Sequence, residues 1–135
     1  MMEIRYSNIK NFKSDDLKDL FLSVEWSSGN YPDQLVIAMQ NSDQVVSAWD
    51  GDHLVGLMNA LSDKAMTAYF HYLLVRPDYQ NKGIGKALIN RMLTYYTDFP
   101  RKVLIAYDSQ VAFYKKCGFD VGTSATPMFI TTLTT

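Results

Sequence analysis

Apolar and polar residues alternate at Glu3-Ile4-Arg5-Tyr6, the period of two expected of a strand with one buried face. From Ser14 the period changes. Leu17, Leu20, Phe21 and Val24 recur at helical spacing behind Asp15 and Asp16, whose charges suit the positive end of a helix. A loop from Glu25 to Tyr31 carries Trp26 and Gly29, and Pro32-Asp33 opens a second helix that runs to Gln40. Val45 to Trp49 reads as a strand, Asp50-Gly51 as a hairpin turn, and His53 to Leu61 as the returning strand, with a bulge marked by Gly56. Ala65 to Val75 is apolar and aromatic on both faces, as a strand in the middle of a sheet should be. After a polar turn, Ile84, Ala87, Leu88, Met92, Tyr95 and Tyr96 keep helical spacing up to Pro100. Val103 to Ala106 predicts another buried strand, and Ser109 to Lys116 a short helix stopped at Gly118. Phe119 to Val121 and Met128 to Leu133 read as a closing pair of strands.

The predicted order is β α α β β β α β α β β. It implies an α/β (α+β) fold: a mostly antiparallel, mixed central sheet flanked by helices, in which one strand–helix–strand unit supplies a parallel pair. No repeat or Pro/Gly/Ser-rich linker divides the chain, so residues 1–135 are read as a single domain. Charge excludes some partners. The 13 Lys and Arg against 14 Asp and Glu leave a net charge of −1, which gives no reason to expect nucleic acid or an anionic membrane. One cysteine, Cys117, and two histidines, His53 and His71, exclude an internal disulfide and a closed Cys/His zinc site, and no metal is expected. The start does not resemble a signal peptide and no apolar run approaches the ~20 residues of a membrane span, so a cytoplasmic location is expected.

The most informative segment is Val75-Arg76-Pro77-Asp78-Tyr79-Gln80-Asn81-Lys82-Gly83-Ile84-Gly85-Lys86-Ala87. A buried strand ends, the chain turns, and a helix opens at two glycines. Unpaired N–H groups and the positive helix end make an anion site, and glycine lets a phosphate approach the backbone. The ATP-binding P-loop does not fit, because its first glycine falls on Gln80 and its hydroxyl on Ala87. The dinucleotide fingerprint also fails, since its third glycine falls on Leu88.

The pattern that does fit is Gln/Arg-x-x-Gly-x-Gly/Ala, here Gln80-Asn81-Lys82-Gly83-Ile84-Gly85. With it the chain resembles the GNAT superfamily of acetyltransferases. A second segment supports the likeness: Asp108-Ser109-Gln110-Val111-Ala112-Phe113-Tyr114-Lys115-Lys116-Cys117-Gly118-Phe119 is similar to the superfamily's Phe/Leu-Tyr-x-x-x-Gly-Phe signature. The resemblance is tight from about Val45 to Phe119 and looser outside.

The resemblance implies a GNAT fold in which two parallel strands splay apart and admit acetyl-CoA as cosubstrate. Gln80, Asn81, Lys82, Gly83, Ile84, Gly85 and Lys86 would hold its diphosphate, and the backbones of Leu73 and Val75 its pantetheine arm. It also implies that Tyr114 serves the leaving thiolate as general acid. His71 matches a histidine position of arylalkylamine acetyltransferases, and a ring with a pKa near 6.5 suits a base; a lone histidine in an apolar strand is more often a core residue. Strict alternation puts Tyr69, His71 and Leu73 on one face of that strand. Tyr69 stands where similar protein-acetylating members carry Glu. Trp26, Tyr31 and Tyr69 are read as walls for an aromatic or alkyl amine, or as aromatic residues closing the core beneath a loop. Glu25 is a base acting through water or a solvated charge, and Cys117 a small packed residue. The expected activity is acetyl transfer to a small-molecule amine by direct attack, from a monomer or homodimer. A peptide N-terminus or lysine as acceptor, and a non-catalytic acyl-CoA-binding module, are the alternatives.

Overall fold

The computed structural model describes residues 3–135. Among the described residues five strands form one sheet in the order β1-β2-β3-β4-β5. They are β1 (Arg5–Ser7), β2 (Gln44–Asp50), β3 (His53–Ser62), β4 (Thr67–Val75) and β5 (Arg101–Leu104). The first four are joined antiparallel, and β5 pairs with β4 in parallel across the connection that contains α3 (Ile84–Leu93). Helices α1 (Ser14–Ser23) and α2 (Pro32–Asn41) cover one face of the sheet, and α3 covers the other. Helix α4 (Val111–Lys116) follows β5. The mixed, mostly antiparallel sheet flanked by helices is the fold that the pattern of residues predicts.

Burial explains why each helix sits where it does. Leu17, Leu20 and Phe21 of α1 and Met39 of α2 are fully buried against Val45, Leu54 and Leu57 of the sheet. Each such side chain contributes roughly 1.5–3 kcal/mol relative to exposure. On the opposite face Leu88, Ile89 and Met92 of α3 pack on Val46, Ala48, Val55 and Met58. Gly56 makes that approach possible, since a Cβ there would lie 3.2 Å from Leu88 Cδ1 and 3.3 Å from Ile84 Cγ2. The bulge expected at this point is present: the register shifts between Ala48 and Trp49, so that Val55 is the extra residue.

Three expectations need correction. The closing pair of strands does not form. Among the described residues, Phe119–Val121 and Met128–Leu133 join no ladder, and β5 remains the edge of the sheet. Their apolar alternation carries no information on whether a partner edge is in reach, and the last residues bond elsewhere, as described below. Second, β5 is Arg101–Leu104 rather than a buried Val103–Ala106, and Val103 is 38% exposed. Third, α3 stops at Leu93 and tightens into a 3₁₀ turn at Thr94–Tyr96, where the Thr94 hydroxyl donates to the Arg91 carbonyl at 2.6 Å. Tyr96 stays buried and its hydroxyl donates to the Asp43 carboxylate at 2.7 Å. No helix among the described residues is long and apolar enough to cross a membrane.

Candidate active site

The site begins where two strands part. Pairing between β4 and β5 ends at Phe70↔Leu104, after which β4 continues to Val75 with no strand partner on that side among the described residues. The amides of Tyr72 and Arg76 point the other way: the Tyr72 N–H donates to Asn59 Oδ1 at 2.8 Å and the Arg76 N–H to the Val55 carbonyl at 2.8 Å, both toward β3. Peptide groups alternate along a strand, so those of Leu73 and Val75 face the open side. A cleft of about 880 Å³ occupies the splay, lined among others by Leu73, Val75, Leu104, Ile105, Ala106 and Tyr107.

At one end of the cleft the chain turns into α3. The turn is fixed from both sides: the Tyr79 hydroxyl donates to Asp50 at 2.5 Å, and Gln80 Nε2 donates to the Val75 carbonyl at 2.9 Å. Asn81 (φ 62°) and Gly83 (φ 84°) are left-handed, a conformation that asparagine and glycine tolerate best. The first helical bond runs from the Ala87 N–H to the Gly83 carbonyl at 3.0 Å, so the N–H groups of Ile84, Gly85 and Lys86 precede it and have no carbonyl within the helix. A Cβ built on Gly83 meets nothing within 4 Å. This is an open cradle of amides at a positive helix end, sized for an anion close to the backbone. Gln80, Asn81, Gly83, Ile84, Gly85 and Lys86 line the cleft; Lys82 is exposed beside it and does not.

A bulge shapes the middle of the cleft. The register passes from Met58↔Leu73 to Ala60↔Phe70, so His71 and Tyr72 together face the single residue Asn59. Buried Asn59 holds the irregularity, accepting from the Tyr72 N–H and donating through Nδ2 to Ser42 Oγ at 3.1 Å. Side-chain alternation therefore slips. His71 and Tyr72 stack with ring centroids 4.0 Å apart, and Tyr69 stacks on His71 at 5.6 Å. Tyr72 packs on the α1–α2 face with His71 and Tyr69 stacked beside it, whereas Leu73 packs on the α3 face, so the expected grouping of Leu73 with Tyr69 and His71 is corrected by the bulge. Tyr72 is the site residue that strict alternation hid. Its hydroxyl shares a 2.9 Å hydrogen bond with Ser28 Oγ, and its ring meets Phe21 edge-on at 4.9 Å. His71 is itself exposed at the border of the cleft, but the stacked neighbours strip water from part of its ring and lower its pKa below the usual histidine value. Burial, with a smaller contribution from Tyr72, raises that of Tyr69.

Tyr114 reaches the cleft from α4. It sits edge-on to Phe113 at 5.2 Å and to Phe119 at 6.0 Å. Gly118 (φ 100°) ends the helix with the Phe119 N–H donating to the Tyr114 carbonyl at 3.1 Å. Among the described residues the Tyr114 hydroxyl has no hydrogen-bond partner. Burial pushes its pKa up to about 12. Cys117 is packed against the same core and burial raises its thiol, the Lys86 charge offsetting part of the rise.

The remaining expected residues divide. Trp26 and Tyr69 line the cleft; Tyr31, 47% exposed just before α2, does not, and neither does Glu25. Glu25 instead takes the left-handed position (φ 62°) that closes α1. Besides Tyr72 and Ser28, two further wall elements escaped the sequence reading: Tyr107, whose ring lies 6.4 Å from Trp26, and the segment from Phe129 to Thr135. Tyr107 lies past the last apolar residue of β5, where periodicity has nothing to report.

Residues 10–119 match the acetyltransferase (GNAT) family. The chain is 30% identical over 123 residues to an uncharacterized N-acetyltransferase of Pyropia yezoensis, covering 87% of this chain and 70% of that one. It is 38% identical over 84 residues to the chloroplastic GCN5-related N-acetyltransferase 3 of Arabidopsis thaliana, covering 59% of this chain and only 35% of that one. Among solved structures, a GNAT-family acetyltransferase of Streptococcus pneumoniae superposes with a TM-score of 0.84 at 26% identity, over 96% of this chain and 98% of that one. A splayed parallel pair, a glycine turn with free amides and this agreement along most of the sequence lead to one conclusion: the chain belongs to the GNAT family of acetyltransferases.

Proposed function

We propose that the protein transfers an acetyl group from acetyl-CoA to the primary amine of a small molecule, by direct attack within the cleft between β4 and β5. The observation that carries this reading is the continuity of the open β4 edge at Leu73 and Val75 with the amide cradle at Gly83. The GNAT family uses acetyl-CoA as cosubstrate, and when bound it supplies an activated thioester carbonyl. The residues present fit it. The Leu73 peptide group and the Val75 N–H face an amide-bearing arm as a further strand would, and the first amides of α3 meet a diphosphate, with Lys86 a cleft-lining cation beside them. The Val75 carbonyl is already engaged by Gln80, so its N–H is the group left to polarise a carbonyl oxygen that gains charge.

Protons need two further residues. An alkyl ammonium has a pKa of about 10 and must lose a proton before it attacks. His71, kept neutral by its lowered pKa, has a free lone pair at neutral pH and borders the cleft. Tyr114 serves the departing sulfur. With its pKa near 12 against about 8.5 for a thiol, full proton transfer would cost roughly 5 kcal/mol, so its hydroxyl stabilises the thiolate by donating a hydrogen bond. Trp26, Tyr69, Tyr72 and Tyr107 give the acceptor region aromatic walls, which favours an aromatic or alkyl amine.

The test pairs calorimetry with mass spectrometry. Coenzyme A should bind saturably, and acetyl-CoA with a panel of amines should yield at least one product heavier by one acetyl group. Binding with every amine left unmodified would make the protein a carrier-binding module, and no binding at all would end the reading.

A further inference from the structure

One wall of the cleft is supplied by neither the strands nor the glycine turn. The final residues lie at the cleft, and Thr134 and Thr135 are bonded both to Tyr107, past β5, and to the 3₁₀ turn Ser27–Asn30 beyond α1. The Thr135 carbonyl accepts from the Ser28 N–H at 2.7 Å and from Ser27 Oγ at 3.2 Å. The Thr134 N–H donates to Ser27 Oγ at 2.8 Å. From the other lip, the Tyr107 hydroxyl donates to the Thr134 carbonyl at 3.3 Å and also meets Thr135 Oγ1. Thr131, Leu133, Thr134 and Thr135 line the cleft together with Phe129. The ties fall on Thr134 and Thr135, just past the stretch expected to form the last strand. The anchor also touches the chemistry: Ser28 Oγ is bonded to the Tyr72 hydroxyl, and the Tyr72 ring stacks on His71.

We propose that residues 131–135 are a strap that sets the size of the acceptor, an inference that rests on the acetyl-transfer reading above. The strap ties the Tyr107 lip to the Ser27–Ser28 lip beside His71 and Tyr72. An amine at the tip of a small molecule passes beneath it. An extended polypeptide needs a groove open along its length, with about 4.8 Å of clearance to each neighbouring strand, and a bridge of five residue-to-residue ties closes such a groove. The strap selects by exclusion as well as by contact.

The experiment compares kcat/KM for the best small amine in a panel that includes 2-phenylethylamine with kcat/KM for a ten-residue peptide bearing a free N-terminus and one lysine. Wild type should favour the small amine. Deleting residues 131–135 should raise the peptide-to-small-amine ratio at least about tenfold, and Ser27→Ala, which removes two ties, by about two- to threefold, with coenzyme A affinity within twofold in both. If the deletion variant binds no coenzyme A, Ser27→Ala decides alone. An unchanged ratio in a working enzyme, or a wild type that prefers the peptide, overturns the strap and leaves acetyl transfer standing. Acetylation of no amine by any form overturns the acetyl-transfer reading and the filter with it.

Discussion

The two ends of the cleft are built on different principles. The turn end is made of backbone: left-handed Asn81 and Gly83, the unbonded amides that open α3, and an empty space where a Cβ would stand. The far end is made of side chains drawn from separated stretches of sequence. Trp26 and Ser28 come from the loop after α1, His71 and Tyr72 from a bulge, Tyr107 from beyond β5, and Thr131 to Thr135 from the final segment. A backbone site depends on a few residues that permit a conformation, and it recognises what all acyl carriers of one kind share. A side-chain site can change wall by wall without disturbing the fold, which suits a region that must fit one acceptor.

The largest effect should come from the turn. In Gly83→Val a β-branched residue must take a φ of 84°, at a cost of about 1–2 kcal/mol, and its side chain fills the space left open for a phosphate. Coenzyme A affinity by calorimetry should fall at least ~100-fold, while the fold persists with a melting point lowered in line with that strain. Affinity within threefold of wild type would mean that the anion sits elsewhere, and the backbone half of the comparison would fail.

This division also explains what could be read before the structure was known. Gln80-Asn81-Lys82-Gly83-Ile84-Gly85 is contiguous, and glycine spacing reports backbone conformation directly, so the turn was legible. So were α1, α2, α3 and the hairpin at Asp50-Gly51, because burial on one face leaves a period in the sequence. The far end left no such trace. The slip that brings His71 and Tyr72 to one face depends on Asn59, a buried amide thirteen residues before Tyr72, and nothing in β4 itself announces it. Tyr31 was expected among the walls from its place in the loop, yet it turns outward at the start of α2. The closing segments alternate as strands do, but alternation specifies a face to bury and not an edge to join.

Tyr114→Phe tests the boundary between the two ends. Removing one hydrogen bond to a developing thiolate is worth about 1.5–3 kcal/mol, or roughly ten- to a hundredfold in kcat, with coenzyme A affinity within twofold. Since the hydroxyl has no protein partner among the described residues, its loss should leave stability within ~0.5 kcal/mol of wild type. Unchanged turnover would assign Tyr114 to packing with Phe113 and Phe119 alone.

His71 should show itself in the shape of a pH profile more than in its height. Partial desolvation of the ring lowers its pKa, so the neutral base is present above that lowered value and is lost as pH falls through it. For wild type, kcat/KM should rise along an acid limb centred below the usual 6.5 and then run flat toward the amine pKa of about 10. His71→Ala should be slower by about tenfold at neutral pH, and its profile should climb without a plateau because only pre-formed free amine reacts. A plateau retained in the variant would place the base on another residue.

The smallest effect separates the far end from the loop that leads to it. Glu25 occupies the left-handed residue that ends α1, with its own N–H donating to the Leu22 carbonyl at 3.0 Å and the next, from Trp26, to the Phe21 carbonyl at 3.1 Å. Glycine is the preferred residue for that position, and Glu25→Gly should stabilise the protein by roughly 0.5–1 kcal/mol in urea titration, less what glycine costs in unfolded-state entropy. Turnover should not change, because Glu25 is absent from the cleft lining. A loss of kcat in this variant, with Trp26 still packed against Tyr72, would show that a carboxylate outside the cleft relays a proton through water, and the acceptor end would then extend past the walls assigned to it.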